Sequence, residues 1–200
     1  MEFKKVLIIG AGQMGSGIAQ VAAQAGLEVT LRDIKDEYVQ KGIAFIEKNL
    51  SKLVEKGKLP ETEKVAILSR IHGAVELNES VCDVDLALEA AVENIEIKRT
   101  IFNDLDKFCP AHTILATNTS SLPITAIAAM TKRPSQVIGM HFFNPAPVMK
   151  LVELINGLQT SEATFAAIQA LTVRLGKNPV KVADFPGFIG NEEVFVAKIV

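Results

Sequence analysis

Two periods of apolar spacing alternate along the chain. Val6-Leu7-Ile8-Ile9 is a continuous apolar run, the pattern of a parallel strand covered on both faces. A helix pattern rich in small residues follows (Ile18, Ala19, Val21, Ala22, Ala23) and stops at Gly26, suited to a left-handed cap. A second strand is predicted over 28–32. From Asp36 to Lys58 the spacing becomes helical, with Val39, Ile43, Ile46, Leu50 and Leu53 in one stripe and Lys48, Lys52 and Lys56 on another face. Pro60 and Glu61 open another helix running to about Arg70, so two helices are inserted after the second strand. Further strands are predicted at 71–75, 85–89, 113–116, 137–141, 151–155 and 179–183. Helices are predicted through Lys98 to Phe108, from Ile124 to Met130 and from Thr160 to Arg174, the last with Ser161 as N-cap. Strands alternating with helices predict an α/β fold with a doubly wound, mostly parallel sheet.

Between the first strand and helix lies G-x-G-x-x-G: Gly10, Gly12 and Gly15. Gly10 turns the chain out of the strand, Gly12 keeps a side chain away from a pyrophosphate, and Gly15 permits close helix packing. The helix beginning near Gln13 would aim its free N–H groups at phosphates. Asp33 stands eighteen residues after Gly15, near the ~20 at which a carboxylate grips an adenosine ribose. The strand–turn–helix context favours a Rossmann-like dinucleotide site over a structural corner. Asp33 would repel a 2′-phosphate, which favours NAD; Arg32 beside it softens that preference, so NADP stays open.

Ligands in such sheets sit beyond the carboxyl ends of the strands. Glu93 and Lys98 follow the DLALE strand and are placed to reach a cofactor; the alternative is a carboxylate favouring a helix N-terminus and a solvated lysine. Thr117 to Pro123 puts hydroxyls and an amide at the next strand end. If Ser121 caps the following helix, Ser120 is free to face the cleft. Strands 137–141 and 151–155 paired antiparallel about Pro147 place residues 141 and 153 opposite each other, so Glu153 would orient His141 as a general base. Lone histidines at strand ends are commonly structural, and His72 is read that way.

Composition changes this picture little. With 21 basic and 23 acidic residues the formal charge is −2, which argues against nucleic acid as a partner. Apolar runs are too short to span a membrane. Cys82 and Cys109 appear in unrelated contexts, without metal-ligand spacing. The N-terminus runs straight into the first strand, so a leader is not expected and a cytoplasmic location is.

The stretches IIGAGQMGSGIAQ, LRDIKDE, EAAVENIEIK, TNTSSLPIT, VIGMHFFNPAPVMKLVEL and DFPGFIGN closely resemble short-chain L-3-hydroxyacyl-CoA dehydrogenases, bacterial 3-hydroxybutyryl-CoA dehydrogenases in particular, over about residues 1–191. The resemblance implies an NAD-binding domain over 1–186 and a junction at 187–200 leading to a helical domain through which relatives homodimerise. That domain is expected to be absent, since Glu192-Glu193-Val194-Phe195 stands where the family continues with Arg and an apolar helix. The resemblance assigns catalysis to His141 and Glu153, with Ser120 and Asn191 positioning the substrate oxygen and the imidazole. Gly10, Gly12, Gly15 and Asp33 would hold the cofactor's adenosine diphosphate half, with Gln13 and Met14 also in the cofactor site, and Glu93, Lys98, Ser120 and Asn144 would lie near its nicotinamide half. Lys52 and Lys56 would meet the phosphates of an acyl-CoA substrate. Two rival readings are a non-catalytic dinucleotide-binding module and a CoA-independent hydroxy-acid dehydrogenase.

Overall fold

The computed structural model describes residues 2–184, so the 187–200 junction and Asn191 lie outside the described residues. Strand β1 (Lys5–Ile9) sends alternate residues to opposite layers, as a two-residue period requires. Val6 and Ile8 join one apolar cluster, Leu7 and Ile9 another. The first cluster is covered by α1 (Gln13–Gln24), α2 (Asp36–Glu55), α3 (Glu61–Leu68) and α6 (Glu162–Arg174). The second is covered by α4 (Ile95–Phe108) and α5 (Ile124–Ala128). Helices therefore lie on both faces of one sheet.

That sheet contains β2 (Glu28–Arg32), β3 (Ile71–Ala74), β4 (Leu86–Glu89), β5 (Ile114–Thr117), β6 (Val137–Phe142), β7 (Leu151–Asn156) and β8 (Asn178–Ala183). Its order is β3-β2-β1-β4-β5-β6-β7-β8. Strands β1 to β6 are parallel, β7 is antiparallel to β6, and β8 runs parallel to β7. Strand order reverses between β1 and β4, which opens a crevice at their carboxyl ends.

Several expectations need correction. Helix α2 ends at Glu55 rather than Lys58, because Gly57 takes φ 65° and its N–H closes back on the Val54 carbonyl. Ser121 does not cap α5. The first N–H groups of that helix, on Ile124 and Thr125, donate to the Asp184 carboxylate at 2.8 Å each, and the Thr125 hydroxyl donates to it as well. Cys82 and Cys109 do not have unrelated surroundings: both are buried in the second cluster, and the neighbouring Cys82 thiol, with burial, pushes the Cys109 thiol up.

Candidate active site

The glycine turn is built by close approach. Gly10 has φ +103°, and a Cβ there would lie 2.5 Å from the Ala90 carbonyl oxygen. A Cβ on Gly15 would lie 1.7 Å from the Gly10 oxygen, so the turn and α1 fit together only with glycine at that position. Gly12 differs: a Cβ there meets nothing within 4 Å. Its backbone opens onto free space at the N-terminus of α1, where no side chain caps the helix. A space beside unpaired N–H groups that a methyl would fill fits a dinucleotide pyrophosphate. Asp33 is tied to the same turn, accepting from Ala11 N and Ile34 N at 2.7 Å each, with lone pairs left for ribose hydroxyls. Arg32 donates instead to the Val75 carbonyl at 2.8 Å. Gln13 is exposed and donates to the Asn144 side-chain oxygen at 3.0 Å; Met14 is half-buried against the first cluster.

At the end of β4 the structure departs from both sequence-based readings of Lys98. Its side chain is 1% exposed, neither solvated nor open to the cleft. The ammonium lies 2.7 and 2.8 Å from the two oxygens of Glu89, itself fully buried, and 3.3 Å from Glu93. Glu89 also accepts from Ala91 N and from the Thr117 hydroxyl, both at 2.7 Å. Two carboxylates thus share one buried cation, with further donors satisfying them, as buried charge requires.

Glu93 is the outward end of this network. Its Oε1 accepts from Ser120 N at 3.1 Å, Ser121 N at 3.2 Å, the Ser121 hydroxyl at 3.0 Å and the Thr119 hydroxyl. Burial pushes its carboxyl up, but the Thr119 and Ser121 hydrogen bonds and the Lys98 charge outweigh this, leaving it below the ordinary carboxylate value. One carboxylate therefore holds the loop that presents Ser120, which is exposed.

The pairing of β6 with β7 sets His141 directly opposite Glu153. Nδ1 of His141 is 2.8 Å from Glu153 Oε2, and the carboxylate side chain is 6% exposed. The Phe143 ring stands 4.9 Å from the imidazole, tilted by 49°. With Nδ1–H donated to the carboxylate, Nε2 carries the lone pair. Asn118 braces the strand end by accepting from Phe142 N at 2.8 Å.

The structure thus gathers Gly12, Asp33, Glu93, Ser120, His141, Glu153 and Asn144 at the carboxyl ends of β1, β2 and β4 to β6 and the amino end of the antiparallel β7. It does not bring Lys52 and Lys56 to the glycine turn: both are exposed near the end of α2, beyond Gly42, the position that meets Ala11. The sequence places Asn118 and Thr119 only within a polar cluster at a strand end, without their roles, and Glu89 was missed. The available signal was a carboxylate ending the otherwise apolar DLALE strand, which demands a partner when buried.

Residues 5–185 match the family model described as 3-hydroxyacyl-CoA dehydrogenase, NAD binding domain. The chain is 52% identical over 191 residues to the probable 3-hydroxybutyryl-CoA dehydrogenase of Bacillus subtilis, covering 96% of this chain and 66% of that protein. It is 45% identical to the human mitochondrial hydroxyacyl-coenzyme A dehydrogenase, covering 94% and 62%. The crystal structure of the (S)-3-hydroxybutyryl-CoA dehydrogenase of Ralstonia eutropha superposes with TM-score 0.92 at 47% identity, covering 96% of this chain and 68% of that one. The chain therefore spans 62–68% of the length of these three relatives. Among the described residues no helix is long and apolar enough to cross a membrane.

Proposed function

The chain belongs to the 3-hydroxyacyl-CoA dehydrogenase family, of which it spans the NAD-binding part, and from that premise we propose that it serves NAD-dependent interconversion of 3-hydroxyacyl-CoA and 3-oxoacyl-CoA, with 3-hydroxybutyryl-CoA and acetoacetyl-CoA as the pair. The observation that carries this reading is the His141–Glu153 contact of 2.8 Å at the strand ends flanking the cofactor crevice. NAD, when bound, supplies the hydride acceptor for oxidation at C3 and the donor for reduction.

The chain's own residues handle the proton and the orientation. In oxidation, Nε2 of His141 takes the proton of the 3-hydroxyl. Glu153, nearly buried, stabilises the resulting imidazolium and fixes its tautomer. In reduction the same nitrogen returns the proton to the alkoxide oxygen. Ser120, held by Glu93 through its backbone N–H, orients the substrate oxygen. Asn191, outside the described residues, completes this set by resemblance. Lys52 and Lys56 meet the coenzyme A phosphates. The resemblance gives homodimerisation to full-length relatives, through the helical domain that follows their NAD-binding part; a cytoplasmic location belongs to the same proposal. Two free buried thiols are in keeping with a reducing compartment.

NADH consumption with acetoacetyl-CoA tests the assignment. His141→Gln is expected to lower kcat by about 10²–10⁴-fold while NADH still binds. Turnover by that variant at the wild-type rate overturns it. Free acetoacetate as substrate separates a CoA-dependent enzyme from a dehydrogenase of free hydroxy acids.

A further inference from the structure

Lys177 is an anomaly outside the proposed chemistry. It lies between α6 and β8 and is 5% exposed. Its ammonium donates to the carbonyls of Ala146 at 2.6 Å and Met149 at 2.7 Å. Among the described residues it makes no ion pair, since no carboxylate lies within 4.0 Å. Burial, with some repulsion from Lys150, pushes it below the ordinary lysine value. A buried cation served by backbone carbonyls alone is costly.

What Lys177 grips is the segment joining β6 to β7, the two strands that carry His141 and Glu153. The same segment is also held by α1. Gln13 donates to Asn144 at 3.0 Å, and Gly17 approaches so closely that a Cβ there would lie 3.2 Å from both Ala146 Cβ and Pro147 Cδ. The 144–149 segment is thus held by both the cofactor helix and Lys177. Asp33, just past β2, marks the adenosine side of the crevice. The other half of a dinucleotide must then run over β4 to β6, toward Asn144.

We propose that Lys177 is a positioning residue for the nicotinamide half of the cofactor, acting through the 144–149 segment that it fastens beneath Asn144. This rests on the dehydrogenase reading for the identity of the cofactor. Loss of the clamp should leave the adenosine half, held by the glycine turn and Asp33, unaffected.

The test compares NADH with ADP-ribose, which keeps the adenosine half and lacks nicotinamide. Both are titrated into the full chain by fluorescence and calorimetry. Lys177→Met keeps the bulk and removes both hydrogen bonds. NADH affinity should fall about tenfold with ADP-ribose affinity unchanged. Gly17→Ala pushes on the same segment from α1, a helix that tolerates alanine, and should give the same split even if Lys177→Met does not fold. Equal losses for both ligands, or no loss of NADH affinity in either folded variant, overturn the proposal. Failure of the wild-type chain to bind NADH overturns the cofactor reading instead.

Discussion

At the scale of single residues, the fingerprint glycines divide into those the fold needs and one the ligand needs. Gly15 faces the Gly10 carbonyl at a distance no Cβ tolerates, whereas Gly12 faces open space with φ −69°, a conformation any residue adopts. Gly15→Ala should therefore destabilise the chain by about 3 kcal/mol, since backbone on both sides must shift. Gly12→Ala should cost less than about 1 kcal/mol yet weaken NADH binding by about tenfold or more, because its methyl occupies the space for the pyrophosphate. Urea unfolding and NADH titration of both variants check the contrast, and equal stability losses would remove the distinction. The sequence motif assigns a separate job to each glycine. That Gly15 meets a carbonyl of its own turn, rather than only the packed strand, appears in three dimensions alone.

At the scale of elements, the local pattern carries most of the fold and fails where a distant residue takes part. Strand identities follow from apolar runs. The register of β6 against β7 follows from arithmetic about Pro147, so the placement of His141 opposite Glu153 is legible before any coordinates. The cap of α5 is not legible, because its acceptor, Asp184, arrives from fifty-nine and sixty residues away. Ser121 looked like the cap because capping serines are usually local; here its hydroxyl is taken by Glu93. Lys98 is a similar case. Its charge suggested solvent or cleft, and only the neighbouring strand shows that Glu89 waits for it inside. Asp184→Ala removes the acceptor of two backbone N–H groups and one hydroxyl on a helix of five residues. It should cost about 1–2 kcal/mol in urea unfolding, with Asp184→Asn losing less because one oxygen remains. Equal stability of Asp184→Ala and the parent would show that α5 stands on packing alone.

At the scale of the whole molecule, the inserted helix pair decides how far the binding surface can extend. Helix α2 meets the glycine turn at Gly42, where a Cβ would lie 2.9 Å from the Ala11 carbonyl oxygen, and continues past α1 through the Asn49–Gln20 contact of 3.4 Å. Lys52 and Lys56 lie ten and fourteen residues beyond Gly42, about 15–21 Å along the helix axis. The proposed function sets these lysines against the phosphates at the far end of a coenzyme A thioester, groups that a small hydroxy acid lacks. If they pair with those phosphates, each exposed ion pair would be worth roughly 0.2–1 kcal/mol, so the double variant Lys52→Ala/Lys56→Ala should raise KM for acetoacetyl-CoA several-fold with little change in kcat. The effect should shrink as salt screens exposed charge. An acetoacetyl thioester of pantetheine, which lacks the nucleotide phosphates, should show no difference between parent and variant. If KM rises equally for both thioesters, the lysines act on the fold of α2 and the basic strip is a solvated helix face.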